Sequence, residues 1–269
     1  MKPIVRINEE ENIIEFLDER WYPRNDKFYV SITHVLGASF PKGAQYEQWL
    51  KDLGANAKFV AERAAESGNK VHHGMELLGS GIKAEWDDKK LDEAEWKGLI
   101  AGHDFLETFV ESIESSEGKV YNDKEEYAGR IDLVAIISGE RWLLDYKFSN
   151  GVYDSHYLQL AAYRRAWDLM YPDKLIDNMG VVWLRARTRG RDKSEKVTQG
   201  KGWQLLDPKN NSTYKELSKY YDKDVYELLY DQFLRTLGTW RFLNPRAEPK
   251  NIIYPMNLQI DKFIKSEKK

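Results

Sequence analysis

The chain has 269 residues, 41 lysines and arginines against 44 aspartates and glutamates, 42% hydrophobic residues and no cysteine. That length and apolar fraction support one large domain with a substantial core and exclude a mainly disordered chain, while the missing cysteines exclude disulfides, cysteine-ligated zinc and cysteine-ligated iron–sulfur clusters. With neither a basic-then-apolar leader nor an apolar run of membrane-spanning length, the sequence points away from membranes and to the cytoplasm or another intracellular compartment.

In chain order, Phe28 to Gly43 predicts a short extended segment that turns at Gly37 and stops by Pro41. From Ala44 to Leu78, Trp49, Leu53, Ala57, Val60, Ala64, Val71, Met75 and Leu78 recur at helical spacings, with breaks predicted at Gly54 and at Ser67-Gly68-Asn69. A second amphipathic stretch, Leu91 to Ser115, places Trp96, Ile100, Phe105, Phe109 and Ile113 on one side. The period then changes. Lys119–Tyr121, Ala128–Ile137 and Arg141–Phe148 are short, rich in Val, Ile, Leu and aromatics, and separated by turn residues, which predicts three strands joined by hairpins. Helical spacing returns from Tyr157 to Trp167. Two further strands follow at Gly180–Arg187 and Gly202–Leu206, then a last helix over Val225–Phe242 with Leu228, Leu229, Phe233, Leu234 and Leu237 as its apolar side. Such an order suits one mixed sheet covered by helices, with the N-terminal helical block as cover or annex.

Charge is segregated along the chain. Arg185 to Lys201 holds seven basic residues against two acids, and Glu85 to Glu95 holds six acids against two lysines. A basic groove on an acidic body follows from that distribution.

The chemistry concentrates in two adjacent strands. Asp145 and Lys147, two apart, leave the same strand face while Tyr146 leaves the other, and a hairpin around Ser138-Gly139 brings Asp132 alongside Asp145. Two carboxylates and a main-chain carbonyl, such as that of Tyr146, are hard oxygen ligands suited to magnesium or manganese. A structural Asp–Lys pair fits the same spacing. Both aspartates interrupt strongly apolar strands, where a charge is costly unless paired or metal-bound. Downstream, Gln159 and Tyr163 share a helix face; upstream, one of His72 and His73 borders the buried stripe and offers an imidazole. Neither a Walker-type nor a dinucleotide-type glycine loop is present. Trp49, Trp86, Trp96 and Tyr153 are candidates for stacking on unpaired bases, with burial in the core as the commoner use of such residues.

Taken in order, Gly68-Asn69-Lys70-Val71-His72, Glu117, Gly129-Arg130-Ile131-Asp132, Asp145-Tyr146-Lys147 and Gln159-Leu160-Ala161-Ala162-Tyr163 resemble the motifs of the PD-(D/E)XK nuclease superfamily, in the branch of the RecB nuclease domain and the phage-type and mitochondrial genome-maintenance exonucleases. The likeness runs from about Ser31 to Trp183. It implies a restriction-endonuclease-like α/β/α core with a central mixed β-sheet and an N-terminal helical extension. The extension occupies 1–115 and contributes His72, the nuclease core occupies 116–210, and a C-terminal helix with a basic tail occupies 211–269.

By the same resemblance, His72, Asp132, Asp145 and the Tyr146 carbonyl ligate Mg2+ or Mn2+, Lys147 activates water and steadies phosphate charge, and Gln159 and Tyr163 hold the lysine. Glu117 fills the family's acidic position, with Glu114, Glu125 and Glu126 as competitors. Arg185, Arg187, Arg189 and Arg191 suit sequence-independent contact with phosphates. The implied activity is DNA phosphodiester hydrolysis, most simply by an exonuclease on ends or single strands, in repair or recombination, with any helicase or single-strand-binding function in a separate partner. A structure-selective endonuclease and an inactive DNA-binding scaffold are the alternatives.

Overall fold

In the computed structural model, residues 5–8, 13–16, 19–185, 187–189, 196–198, 202–245, 247 and 249 are described. Strands β1 (Val5–Asn8), β2 (Ile13–Phe16), β3 (Glu19–Arg24) and β4 (Lys27–Ser31) form an antiparallel meander. Asn25 and Asp26 both adopt left-handed backbone, φ 51° and 58°, the conformation that lets a two-residue turn follow the twist of its strands. The N-terminal segment thus begins with sheet, where a helical part is predicted.

The expected extended segment from Phe28 divides in two, because Ile32, Val35 and Leu36 form a buried helical stripe and start α1 (Ile32–Ser39) directly after β4. Gly37 lies inside that helix. Next come α2 (Gly43–Leu53), a 3₁₀ turn over Gly54–Asn56 and α3 (Ala57–Gly79). The break at Gly54 is where the sequence places it, but Ser67-Gly68-Asn69 does not interrupt α3. A single helical glycine costs only about 1 kcal/mol against alanine, which the flanking turns carry.

Helix α4 (Glu93–Phe109) is opened by a reciprocal cap between Asp92 and Glu95. Its buried side contains Gly98, Leu99, Gly102 and Phe105, whereas Ile100 and Phe109 are exposed and Ile113 lies in a strand. The face differs from the expected one because it is the face of close approach: a Cβ on Gly102 would collide with Met75, and one on Gly98 with Phe148.

Strands β5 (Ser112–Ser116), β6 (Lys119–Asn122), β7 (Tyr127–Arg130), β8 (Leu133–Ile137) and β9 (Glu140–Lys147) follow, then α5 (Asp154–Met170), β10 (Asn178–Trp183), a two-stranded ribbon of β11 (Arg187–Arg189) and β12 (Lys196–Thr198), and β13 (Gln204–Leu206). Helices α6 (Ser212–Tyr221), absent from the sequence reading, and α7 (Val225–Leu243) complete the order.

The result is a mixed α/β fold with two sheets flanked by helices, not one central sheet. A five-stranded sheet has the order β13-β10-β9-β8-β5 and a six-stranded sheet β1-β2-β3-β4-β7-β6. The parallel pair β9–β10 is joined by α5. Alternate residues of the five-stranded sheet go to different cores. Val134, Leu143 and Val181 join residues of α5 and α7, while Leu133, Leu144 and Val182 join residues of α3 and α4. The core on the α5 side also takes Ile14, Trp21, Val35, Phe233 and Trp240, so residues from all three sequence segments share it. No helix among the described residues is long and apolar enough to cross a membrane.

Candidate metal centre

The site forms where one hairpin parts between two sheets. The chain 112–122 and the chain 127–137 pair along their length, yet β5 and β8 belong to the five-stranded sheet while β6 and β7 belong to the six-stranded one. At the parting, Glu117 N donates to Asp132 O at 3.1 Å and Ile131 N to Gly118 O at 2.8 Å, with Glu117 in left-handed backbone at φ 55°. That conformation costs a non-glycine residue about 1–2 kcal/mol. It turns the Glu117 carboxylate toward Asp132 from across the hairpin.

Helix α3 supplies the third group. His72 faces inward, its Nδ1 3.3 Å from Asp132 Oδ2, while His73 is exposed beside Glu76. Ligand atoms of His72, Glu117 and Asp132 lie within 4.8 Å of one another. Asp132 Oδ2 also accepts the Tyr146 amide at 2.7 Å, and the Tyr146 main chain hydrogen-bonds His72. Of the competing acids, Glu114 pairs with Arg141 at 2.5 Å and Glu126 with Lys27, and neither joins the cluster.

Toward α5, Asp145 Oδ2 lies 2.6 Å from Lys147 Nζ in an ion pair. Asp145 Oδ1 accepts from Gln159 Nε2 at 2.8 Å, and the same amide lies 3.2 Å from Tyr163 OH. Gln159 thus holds the aspartate, where the sequence reading has it hold the lysine. The glycine that opens the Gly129-Arg130-Ile131-Asp132 motif has a steric reason, because a Cβ there would collide with the Tyr163 ring.

Burial pushes Glu117 up to about 8, helped by the Asp132 charge and opposed by Arg130. It also raises Asp132 to about 6 against the pull of Lys147, and raises Asp145 to about 6 with help from Asp132. For Lys147, burial acts downward, but Asp145 and Asp132 outweigh it and hold the ammonium above its usual range. His72 is lowered to about 4, first by burial and then by the Lys147 charge. A neutral imidazole beside crowded carboxylates keeps a lone pair for a cation. The donor set of one imidazole nitrogen and hard oxygens, with excess negative charge in a low-dielectric setting, can coordinate a divalent cation.

Three neighbours escape the sequence reading. Arg130 contacts Glu117 Oε2 at 2.7 Å and Glu76 at 3.5 Å. Glu76 stands four residues after His72 on α3, a spacing that signals a shared face. His156 is close enough for the Lys147 charge to act on it, and its place three residues before Gln159 on α5 was the available signal.

Among the arginines expected to meet phosphate, Arg185 lies just past β10 with its guanidinium 5.1 Å from the Phe148 ring centroid. Arg187 and Arg189 lie on β11, with their side chains outside the described part, and Arg191 lies outside the described residues. Trp86 and Tyr153 are exposed, and Trp49 and Trp96 are half-buried. No family model matches the chain, and no curated protein is detectably similar to it.

Proposed function

We propose that the protein is a divalent-metal-dependent nuclease with a restriction-endonuclease-like core, hydrolysing DNA phosphodiester bonds, and that it acts as a sequence-independent exonuclease on free ends or single strands. The observation that carries this reading is the meeting of two groups at one point of the fold: the His72–Glu117–Asp132 cluster and, across β9, the Asp145–Lys147 pair. A structural ion pair alone would account for the second group and leave the first unexplained. The ordered motifs of the PD-(D/E)XK superfamily in the sequence support the same reading.

In this reading His72, Glu117 and Asp132 hold Mg2+ or Mn2+, with Asp145 and the Tyr146 carbonyl adjoining. A divalent ion there supplies Lewis-acid polarisation of the phosphate and an acidified water. Lys147 places a fixed positive charge where phosphate charge builds up, an interaction that grows toward the transition state. Gln159 fixes Asp145, and Asp145 in turn restricts where the Lys147 ammonium can go. Arg130 restrains Glu117, which it contacts at 2.7 Å. Packed strands and helices hold these groups more tightly than loops would, which hydrolysis requires. The basic segment that begins at Arg185 leaves the sheet next to Lys147, since Leu184 N donates to Lys147 O at 2.9 Å, and suits contact with phosphates without reading bases.

The test compares end-labelled linear single strands, linear duplex and a covalently closed single-stranded circle, with Mg2+, Mn2+ or chelator, for the wild type and Asp132→Asn. Degradation of linear strands but not circles, lost with chelator and in the variant, is the expected result. Cutting of the circle moves the protein to endonucleases. Metal-independent binding with no cutting overturns the reading in favour of a scaffold.

A further inference from the structure

Helix α5 joins the parallel strands β9 and β10 and so runs back against β9. The hydrogen bond from Gln159 Nε2 to Asp145 Oδ1, at 2.8 Å, fixes which levels of helix and strand face each other. Three residues back along α5, about 4.5 Å by helical rise, stands His156. Two residues on along β9, about 6.6 Å in the same direction by strand rise, stands Lys147. Helix positions three apart and strand positions two apart share a face, so His156 and Lys147 face each other as Gln159 and Asp145 do.

Burial gives out at this level. Asp145 is buried, whereas Lys147, Ser149 and His156 are half-buried and Asn150 and Tyr153 are exposed. The carboxyl ends of parallel strands are where open α/β sheets take their ligands, and Lys147 and Trp183 stand side by side at those ends of β9 and β10.

The imidazole is held from one side and open on the other. Its Nδ1 accepts the Tyr153 amide at 3.3 Å, and the Tyr153 ring meets it edge-on with centroids 5.5 Å apart. With Nδ1 an acceptor, the proton of the neutral ring sits on Nε2, and Nε2 has no hydrogen-bond partner among the described residues. A helix cap accounts for Nδ1 and leaves this second donor, at the solvent-facing end of β9, without a use. A neutral N–H beside a fixed ammonium suits two successive phosphates of one strand, the first by hydrogen bonding and the second by charge.

We propose that His156 is a substrate-contacting residue whose Nε2–H donates to a phosphate oxygen of a single DNA strand passing the carboxyl end of β9, at the phosphate next to the one that Lys147 steadies. This names how the same site grips its substrate and rests on the nuclease reading.

The test uses the full chain and a single strand with a fluorescent end label. DNA affinity is read by anisotropy in chelator, and cleavage by single-turnover kinetics with Mn2+. His156→Ala is expected to weaken binding about tenfold, the low end for a hydrogen bond to a charged acceptor, and to raise the half-saturating DNA concentration by more than it lowers the maximal rate. Two further variants separate contact from capping. His156 stands three residues after the N-cap of α5, where glutamine and glutamate both accept the N-cap amide, but only glutamine brings an N–H. His156→Gln is expected to bind within about threefold of wild type and His156→Glu no better than His156→Ala. Recovery by both overturns the proposal, since the cap alone then explains the residue. Single methylphosphonates placed along the strand locate the contact: at one position the penalty of His156→Ala disappears, as a cycle between partners requires, and a penalty undiminished at every position overturns the contact. A wild type that binds the strand but never cuts it overturns the nuclease reading, while the binding cycle still decides the contact. A wild type that cuts, with His156→Ala indistinguishable from it, overturns the contact alone.

Discussion

The two faces of β9 settle their charge differently. Toward α5, Asp145 has a lysine on one oxygen and a glutamine amide on the other, and Gln159 is seated against Tyr163. Toward α3, Glu117 and Asp132 face a histidine that burial keeps neutral, and the guanidinium of Arg130 is shared between Glu117 and Glu76. Glu117 is accordingly pushed up to about 8, further than Asp132 or Asp145 at about 6. Lys147 touches Asp145 and also pulls on Asp132, whereas His72, Glu117 and Asp132 form a donor set able to coordinate a divalent cation.

The sharpest way to break that contrast is to remove the internal counter-charge. Lys147→Ala leaves the Asp145 carboxylate, 0% exposed, without its cation, and breaking a buried pair on one side costs about 3–5 kcal/mol. The same variant is expected to lower cleavage by roughly 10²–10³-fold or more, the scale of losing one preorganised electrostatic group. The double variant Asp145→Asn with Lys147→Met is expected to regain stability without regaining cleavage. Urea unfolding and single-turnover rates check both. An unchanged urea midpoint for Lys147→Ala would show that the α5 face does not depend on the pair.

The second expectation concerns the other face and its pH dependence. Glu117 in the folded protein titrates at about 8 against an ordinary 4.5, so the fold binds its proton more readily than the unfolded chain does. The associated stability is present below pH about 4.5 and is lost as pH rises through about 8, a change on the order of 5 kcal/mol for a buried carboxylate. Asp132 and Asp145 add to the loss between about 4 and 6. Glu117→Gln is expected to flatten the metal-free profile between pH 5 and 8 and to be the more stable protein at pH 8. Mn2+ is expected to reverse the slope for the wild type, because a cation taken up at Glu117 would bind the deprotonated carboxylate, and chelation to restore it. Midpoints at pH 5, 6.5 and 8, with Mn2+ and with chelator, test this; a pH-independent difference between the two proteins contradicts it.

Much of the α5 face was legible in the sequence because it is built from local regularities. The two-residue spacing of Asp145 and Lys147 sets a strand face, the four-residue spacing of Gln159 and Tyr163 sets a helix face, and Ser138-Gly139 closes the hairpin with left-handed backbone at both positions, φ 52° and 75°. The α3 face was less legible because its groups meet only in three dimensions. The strand expected over Ala128–Ile137 is broken at Ile131 and Asp132, where the chain leaves one sheet for the other, and no periodicity announces that step. Glu117 then reaches the cluster through a left-handed kink, and Arg130 reads in sequence as only the variable position of its motif. The glycines of α4 misled in another way. A stripe containing Gly98 and Gly102 looks less apolar than one containing Ile100 and Phe109, yet the glycine side is the one that packs, because it admits Met75 and Phe148.

The smallest expected effect concerns what joins the two faces. Gly129 precedes Asp132 by three residues on the hairpin, and the ring of Tyr163 occupies the space a side chain would need there, with Ile32 Cδ1 a further 3.2 Å neighbour of the same position. Tyr163 and Gln159 therefore set the depth of β7 as well as the orientation of Asp145. In Gly129→Ala one methyl group meets a fully packed ring, and inserting a methyl into such a core costs about 1–3 kcal/mol. The strain has two outlets, the Tyr163 ring or the strand that leads to Asp132. If the ring yields, the Gln159 amide shifts from Asp145 and cleavage falls while Mn2+ affinity is kept. If the strand yields, Asp132 moves against His72 and Mn2+ affinity falls as well. Tyr163→Leu, which removes the obstructing ring atoms, is expected to recover part of the Gly129→Ala loss in a double-mutant cycle. Additive losses in that cycle would mean that Gly129 and Tyr163 act independently, and that the two faces are joined through Asp132 alone.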